Sequence, residues 1–480
     1  MIEKPRYQDL TNYMGYGSGD ILNDLDPASS DLLARIRSMT PEEVKIKIEV
    51  ASNAFDFWSS VPSPKRGEIL LKAGEIMESE KDSIGRLMTD EEGKTLRDSI
   101  IEVTRSALTL KFYGALAFKF GGSTFPSADT DTRIMTIRKP LGTVALITPW
   151  NFPLSIPVWK TAPALAAGNT VIIKPASKTP LMVAKLKDIL MRAGLPDGVF
   201  NIVVGSGSSI GNTIFSSKLV SAVSFTGSVP VGKGIYKAVG EKPNMSRVQL
   251  ELGGKNAMYV DESSDIARAT EFSIRSAFGL TGQSCTATSR LLVHHNIYDN
   301  LKAAILNKLS AWKVGSGVNP ETNMGPVVDK AQVSTDLDYI GFGQEDGAKL
   351  IFGGKTLGHE LFLQPTLFEN VTEDMRIFRE EIFGPVLGMT IVKNIDEAIE
   401  LCNSVPYGHT AGIISNNNIS INRFVEGVEV GVVKVNKPTV GLELQAPFGA
   451  FKESGANTWK EMGEEALDFY TKEKTVYWGW

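Results

Sequence analysis

"TVIIKPASKTPLMVAKLKDILMRAGLP", residues 170 to 196, holds a complete strand-turn-helix unit and decides the fold class. "TVIIK" has the composition of a buried strand. Thr179 and Pro180 suit the N-cap and first turn of a helix, the helix that follows is apolar along one side, and Gly194 with Pro196 stops it. Lys174 therefore falls at the carboxyl end of a strand, the edge where ligands of open α/β sheets bind. The same texture recurs from Thr143 onward, where "TVALITP", "FNIVVG" and "SAVSFTG" alternate with helical stretches in the pattern of a parallel sheet. A second alternating region follows residue 285, with "SRLLVH", "YDNLKAAILNKLSAWK" and "IFGPVLGMTIV" ahead of "NIDEAIELCNSV". The two regions join near "LELGGKNAMYV", so a cleft is expected between them. Ahead of both, residues 41 to 119 repeat apolar positions at helical spacing.

At 480 residues the chain exceeds one hydrophobic core. Its 42% hydrophobic and 22% charged residues are those of a folded, cytoplasmic type of protein. The N-terminal "MIEKPRYQDLTNYMGYGSGD" offers no signal-peptide core. The apolar stretch 143–173 is broken by Pro149, Pro153, Pro157, Lys160 and Pro163, and reads as buried strands and turns with no membrane span. Two cysteines and four histidines make no zinc-ligand pattern, so no metal is expected. A net charge of −5 without a basic block gives no footprint for nucleic acid, and points to a small-molecule partner. Residues 120 to 140 and the aromatic tail "TKEKTVYWGW" read as exposed strands that need a partner, as in a homodimer or homotetramer.

Several motifs carry chemistry. Cys285 in "GQSCTATS" has small polar flanks that leave a thiol accessible and offer backbone N–H groups to an anion, whereas Cys402 sits in a helical pattern as a packing residue. Glu251, before the pair Gly253–Gly254, ends an apolar run; desolvation in a cleft would raise its pKa and make it a usable base. Asn151, in the proline-rich "TPWNFPLSIP", could hold an amide rigidly toward an oxyanion. "VVGSGSSIG", with Gly207, reads as a turn or an imperfect phosphate loop. "SFTGSVPVG" is the better cradle, since a strand runs into Gly227 and Ser228 and a helix then begins through Val231.

Together "TPWNFPLSIPVWKTAPALAAGNTVIIKPA", "FTGS", "LELGGKN", "GQSCTA", "EEIFGPV" and "PFGAFKESG" resemble the aldehyde dehydrogenase superfamily over nearly the whole chain. The resemblance implies an α/β fold of two Rossmann-like domains and a small β oligomerisation element. Residues 1–119 and 142–250 would form the cofactor-binding domain, 251–455 the catalytic domain, and 120–141 with 456–480 the oligomerisation element. It implies Cys285 as the nucleophile that forms a thiohemiacetal and then a thioester, Asn151 and the Cys285 N–H as oxyanion donors, and Glu251 as the base that activates the hydrolytic water. Glu251 also argues for a free carboxylic acid as product in place of an acyl-coenzyme A. Lys174, Glu381 and Phe383 match cofactor ribose and nicotinamide contacts, Ser228 a pyrophosphate contact, and Trp150 a wall residue. Where NAD-preferring relatives carry a glutamate three residues after the lysine, this chain has Ser177 followed by Lys178, which favours NADP over NAD. The C-terminal segment is most similar to the archaeal branch acting on 2,5-dioxopentanoate. The arginine that precedes the nucleophile by six residues in many succinate semialdehyde enzymes is Gly279 here, so the substrate's anchor is not identified. Another semialdehyde or hydroxyaldehyde is the alternative substrate, and a non-redox cysteine hydrolase the alternative class.

Overall fold

β-branched runs with little side-chain freedom favour strands, and three of them, with two strands of mixed composition, build one parallel sheet. Its order is Phe200–Ile202, Thr170–Lys174, Thr143–Ile147, Val220–Gly227, Arg247–Leu252. The computed structural model describes residues 5–15 and 17–480. Every residue of Thr143–Ile147 and Thr170–Lys174 is buried, as a sheet covered on both faces requires. The cover includes the expected N-terminal helices Pro41–Ser60, Ser63–Ser79, Lys81–Glu92 and Leu96–Leu116, whose buried stripes share cores with the sheet.

A link of only three residues, 253–255, carries the chain from Arg247–Leu252 into Asn256–Val260 of a seven-stranded sheet. Its order is Lys349–Phe352, Thr366–Glu369, Val386–Val392, Thr288–His294, Asn256–Val260, Thr410–Ile414, Val432–Val435, parallel except for the antiparallel edge Lys349–Phe352. A third sheet is antiparallel: Thr471–Gly479 pairs along its length with Thr132–Pro140, which also pairs with Thr124–Phe125. Of the stretch 456–480 only Thr471–Gly479 joins this sheet. Helix Ala466–Tyr470 is buried in the core of the first sheet.

Two expectations fail locally. The stretch 143–173 is strand, helix, strand, with helix Ser155–Ala167 carrying both Pro157 and Pro163. Pro157 falls in the first turn, where its missing N–H has no intrahelical partner to lose. Tertiary burial of nearly the whole helix overrides the break at Pro163. Thr179 is not an N-cap either. The next helix is Leu181–Ala193, and its first amides, on Leu181 and Met182, donate to the carboxylate of Glu91 from helix Lys81–Glu92. Gly194 closes it in the left-handed conformation, as expected. No described helix is long and apolar enough to cross a membrane.

Candidate active site

The two large sheets present opposite edges to one another. Lys174, the loop after Ile147, Ser228 and Glu251 all lie at the carboxyl edge of the first, whereas Cys285, His409 and Glu381 lie just before the amino ends of strands of the second. Asn256, the first residue of the second sheet, ties that edge together. Its amide nitrogen donates to the carbonyls of Cys285 and Ala287, both at 2.8 Å, and its oxygen accepts from the Thr410 N–H at 3.0 Å.

Cys285 is partly exposed. The turn before it is strained: Leu280, Thr281 and Gly282 are all left-handed, at φ 54°, 58° and 69°. A Cβ at Gly282 would stand 2.3 Å from the Gly384 carbonyl, so only glycine lets the cysteine loop approach the loop of Glu381 and Phe383 so closely. Asn151 is buried, and its Nδ2 donates to the Gln283 carbonyl at 2.8 Å, two residues before the thiol. One amide hydrogen is thereby used and the second remains. The backbone carbonyl of Asn151 accepts from Lys94 Nζ at 2.6 Å, which ties the loop to helix Leu96–Leu116 through the buried Lys94–Glu102 pair.

Electrostatics disfavour charge at the sulfur. Burial, then the carboxylates Glu251, Glu381 and Glu461, push the Cys285 thiol well above its ordinary value, opposed only by its own backbone N–H. Glu251 is buried, and desolvation with Glu461 beside it also raises its pKa, against Lys160, Lys460 and the Ala450 N–H. Behind Glu251 lies a buried polar network. Lys160 Nζ is paired with Glu461 and donates to Ser224 Oγ at 2.7 Å, Ser224 donates to Gln249 Oε1 at 2.7 Å, and Gln249 donates to the Lys460 carbonyl at 2.8 Å.

Trp150 touches Phe383 edge-on at 5.5 Å, and the Lys178 ammonium stands 5.3 Å from the Trp150 ring. Lys178 also pairs with Asp329 at 2.6 Å, so its charge is shared across the cleft. Ser177 Oγ donates to the Gly205 carbonyl at 3.4 Å, which places it beside the turn where Ser206 caps helix Gly207–Ser216. Among the described residues Lys174 is buried without an acidic partner; burial lowers its pKa to about 8, and its Nζ donates to the Pro175 carbonyl. Ser228 and Val231 open helix Val229–Gly240, two strands from Lys174 in the sheet; Ser228 leaves its capping position unused and Val231 is exposed. Glu381 Oε1 accepts from the Gly254 N–H at 2.8 Å, and a Cβ on Gly253 would collide with this carboxylate. Burial raises Glu381 to about 7.

These features fit a dinucleotide. Among the described residues, an orphaned cation (Lys174), the unpartnered buried hydroxyls of Thr148 and Thr226 at the same sheet edge, and the N-terminus of helix Val229–Gly240, which no side chain caps, match ribose and phosphate oxygens. Sequence reasoning missed Gln249, two residues before Glu251 on the same strand, and Lys160, Glu461 and His409, which tertiary contact brings to Glu251. The only linear signal was a lone lysine or histidine inside an apolar run. His409, which no sequence motif pairs with anything, lies with Nε2 3.8 Å from Glu251 Oε2.

The sequence profile described as "Aldehyde dehydrogenase family" matches residues 16–476. A relative named 2,5-dioxopentanoate dehydrogenase, from Saccharolobus solfataricus, is 62% identical and covers 99% of both chains. An alpha-ketoglutarate semialdehyde dehydrogenase of Haloferax volcanii is 42% identical over 96% of each. Among solved structures, an indole-3-acetaldehyde dehydrogenase complexed with NAD+ superposes with a TM-score of 0.93 at 32% identity, covering 100% of this chain and 97% of that one. An E. coli enzyme titled NADP dependent gives 0.92 at 31%, covering 96% and 95%.

Proposed function

Because the chain belongs to the aldehyde dehydrogenase family and is a nicotinamide-dependent aldehyde dehydrogenase, we propose that it oxidises 2,5-dioxopentanoate to 2-oxoglutarate with NADP, through a thioester on Cys285. The convergence of Asn151, Glu251 and Cys285, from both sheets, carries the reading.

A raised thiol pKa means that the resting nucleophile is protonated, so attack requires proton transfer. Glu251 takes the thiol proton as sulfur bonds the aldehyde carbon. The carbonyl oxygen becomes an alkoxide, stabilised by the remaining N–H of the Asn151 amide and by the Cys285 backbone N–H. Lys174, Glu381 and Phe383, with Trp150 as a wall, would hold a nicotinamide, which would supply the acceptor for the hydride that leaves the former aldehyde carbon. Collapse leaves an acyl group on Cys285. Once that first proton has left Glu251 for solvent, the carboxylate deprotonates a water whose oxygen bonds the acyl carbon; the carbon–sulfur bond breaks, the departing thiolate takes the proton from Glu251, and the free acid departs. The buried Lys160–Glu461 network lies behind the base, where it can pass the proton outward.

Three further parts of the reading rest on particular residues. Ser177 supports NADP, since no carboxylate stands there to repel a 2′-phosphate; Lys178 contributes less than its charge suggests because Asp329 shares it. Gly207, Gly227, Ser228 and Val231 would line the pyrophosphate side. The exposed aromatics of Thr471–Gly479 support a homodimer or homotetramer, and two unbonded thiols suit a cytoplasmic setting. The substrate follows the names of the similar enzymes.

Reduced-nicotinamide absorbance tests the reading. 2,5-Dioxopentanoate with NADP is expected to give a higher kcat/KM than succinate semialdehyde or glyceraldehyde, and a panel silent with every aldehyde overturns it. Glu251→Gln removes the base of both half-reactions, so it is expected to lower turnover about 10²–10⁴-fold with no fast one-equivalent burst of reduced cofactor.

A further inference from the structure

Glu251 and His409 each leave one polar atom unused. Among the described residues, Glu251 Oε2 and His409 Nε2 are both buried without a hydrogen-bond partner, and they face each other at 3.8 Å. That gap exceeds an N···O hydrogen bond of about 2.9 Å, and rotation about the glutamate torsions closes it. The imidazole is the fixed member. Its ring packs on Phe448 at 5.2 Å, its Cβ lies against the bare Cα of Gly254, and its Nδ1 is 3.3 Å from Thr410 Oγ1. Asn256 holds the Thr410 backbone with the same side chain that grips the Cys285 carbonyl, so base partner and nucleophile share one brace.

A neutral imidazole has one donor and one acceptor nitrogen. With the Thr410 hydroxyl donating to Nδ1, Nε2–H is the donor, directed at Oε2. We propose, on the reading that Glu251 is the base, that His409 is a positioning residue: its Nε2–H donates to Glu251 Oε2, favours the carboxylate, and leaves Oε1 to take the proton of the thiol or of the hydrolytic water. The proton transferred in each half-reaction thus resides on Oε1, and His409 neither gains nor loses charge. Burial, then the charge of Lys460, lowers the imidazole to about 4, so it stays neutral through the working range.

The other groups facing the pair are Glu461, Lys160, Lys460 and Cys285, all retained in a His409 variant. Removing one donor from a carboxylate raises its pKa. His409→Leu and His409→Asn, the second polar but too short to reach, are therefore expected to move the acid limb of the kcat profile upward by about one pH unit. Turnover at neutral pH should fall about tenfold and recover toward alkaline pH. His409→Gln, which restores an N–H donor, should move the limb back, and both KM values should stay put. An unshifted acid limb in whichever of the two disabling variants keeps the wild-type thermal midpoint overturns the assignment. Full steady turnover by Glu251→Gln would instead overturn the reading on which it rests.

Discussion

At the residue scale, the thiol in "GLTGQSCTATSR" shows how far side-chain chemistry can be read from neighbours. Small flanking residues predict close approach, and the Gly282–Gly384 contact supplies the reason, because two loop backbones meet where any side chain would collide. The electrostatics were not legible. An accessible thiol next to serine and threonine suggests an easily ionised group, yet burial of the sulfur, and then three carboxylates from distant segments, drive its pKa the other way. Position 177 permits a direct test of cofactor choice. Ser177→Glu is expected to reduce the preference for NADP over NAD at least about tenfold, by placing a charge beside the 2′-phosphate in a site of reduced dielectric. Measurement of kcat/KM with both cofactors decides it; an unchanged ratio would mean that the phosphate is read elsewhere.

At the scale of the element, capping explains both a success and a failure. Gly194 is legible as a helix stop because a left-handed C-cap, here at φ +103°, is a local demand. The N-terminal end of the same helix is not legible, since its amides are satisfied by Glu91, about 90 residues away, and Thr179 is left with an unpartnered hydroxyl. The two glycines of this region should then respond differently. Gly194→Ala meets no neighbouring atom, so its cost is backbone strain alone, about 1–2 kcal/mol, read as a lower thermal midpoint. Gly207→Ala also meets open space but at an ordinary φ, in the first turn of helix Gly207–Ser216. It is expected to leave the midpoint unchanged and to weaken cofactor binding, as calorimetric titration with NADP would show.

For the whole molecule, the three-stranded sheet ends in an exposed aromatic strand. Tyr477, Trp478 and Trp480 are 71%, 61% and 68% exposed, an arrangement expected of a surface that awaits a partner. Tyr477→Asp combined with Trp478→Asp is predicted to shift the protein to a smaller species in size-exclusion chromatography with light scattering, with its helical circular dichroism intact. A wild-type chain that is already monomeric would contradict the oligomer. The amino-acid sequence by itself determined most element types and the two largely parallel sheets, and it marked Cys285 and Glu251 as candidate nucleophile and base, because periodicity, β-branching and motif spacing are properties of contiguous residues. Only the tertiary structure decided what surrounds those groups. The three-residue link 253–255 turns the carboxyl edge of one sheet toward the amino edge of the other, and this juxtaposition brings Asn151, Glu251, Cys285, His409 and the Lys160–Glu461 pair into one buried volume. Burial and charge partners, which set the shifted pKa values in the site, depend on residues up to 301 positions apart and have no signature in the linear chain.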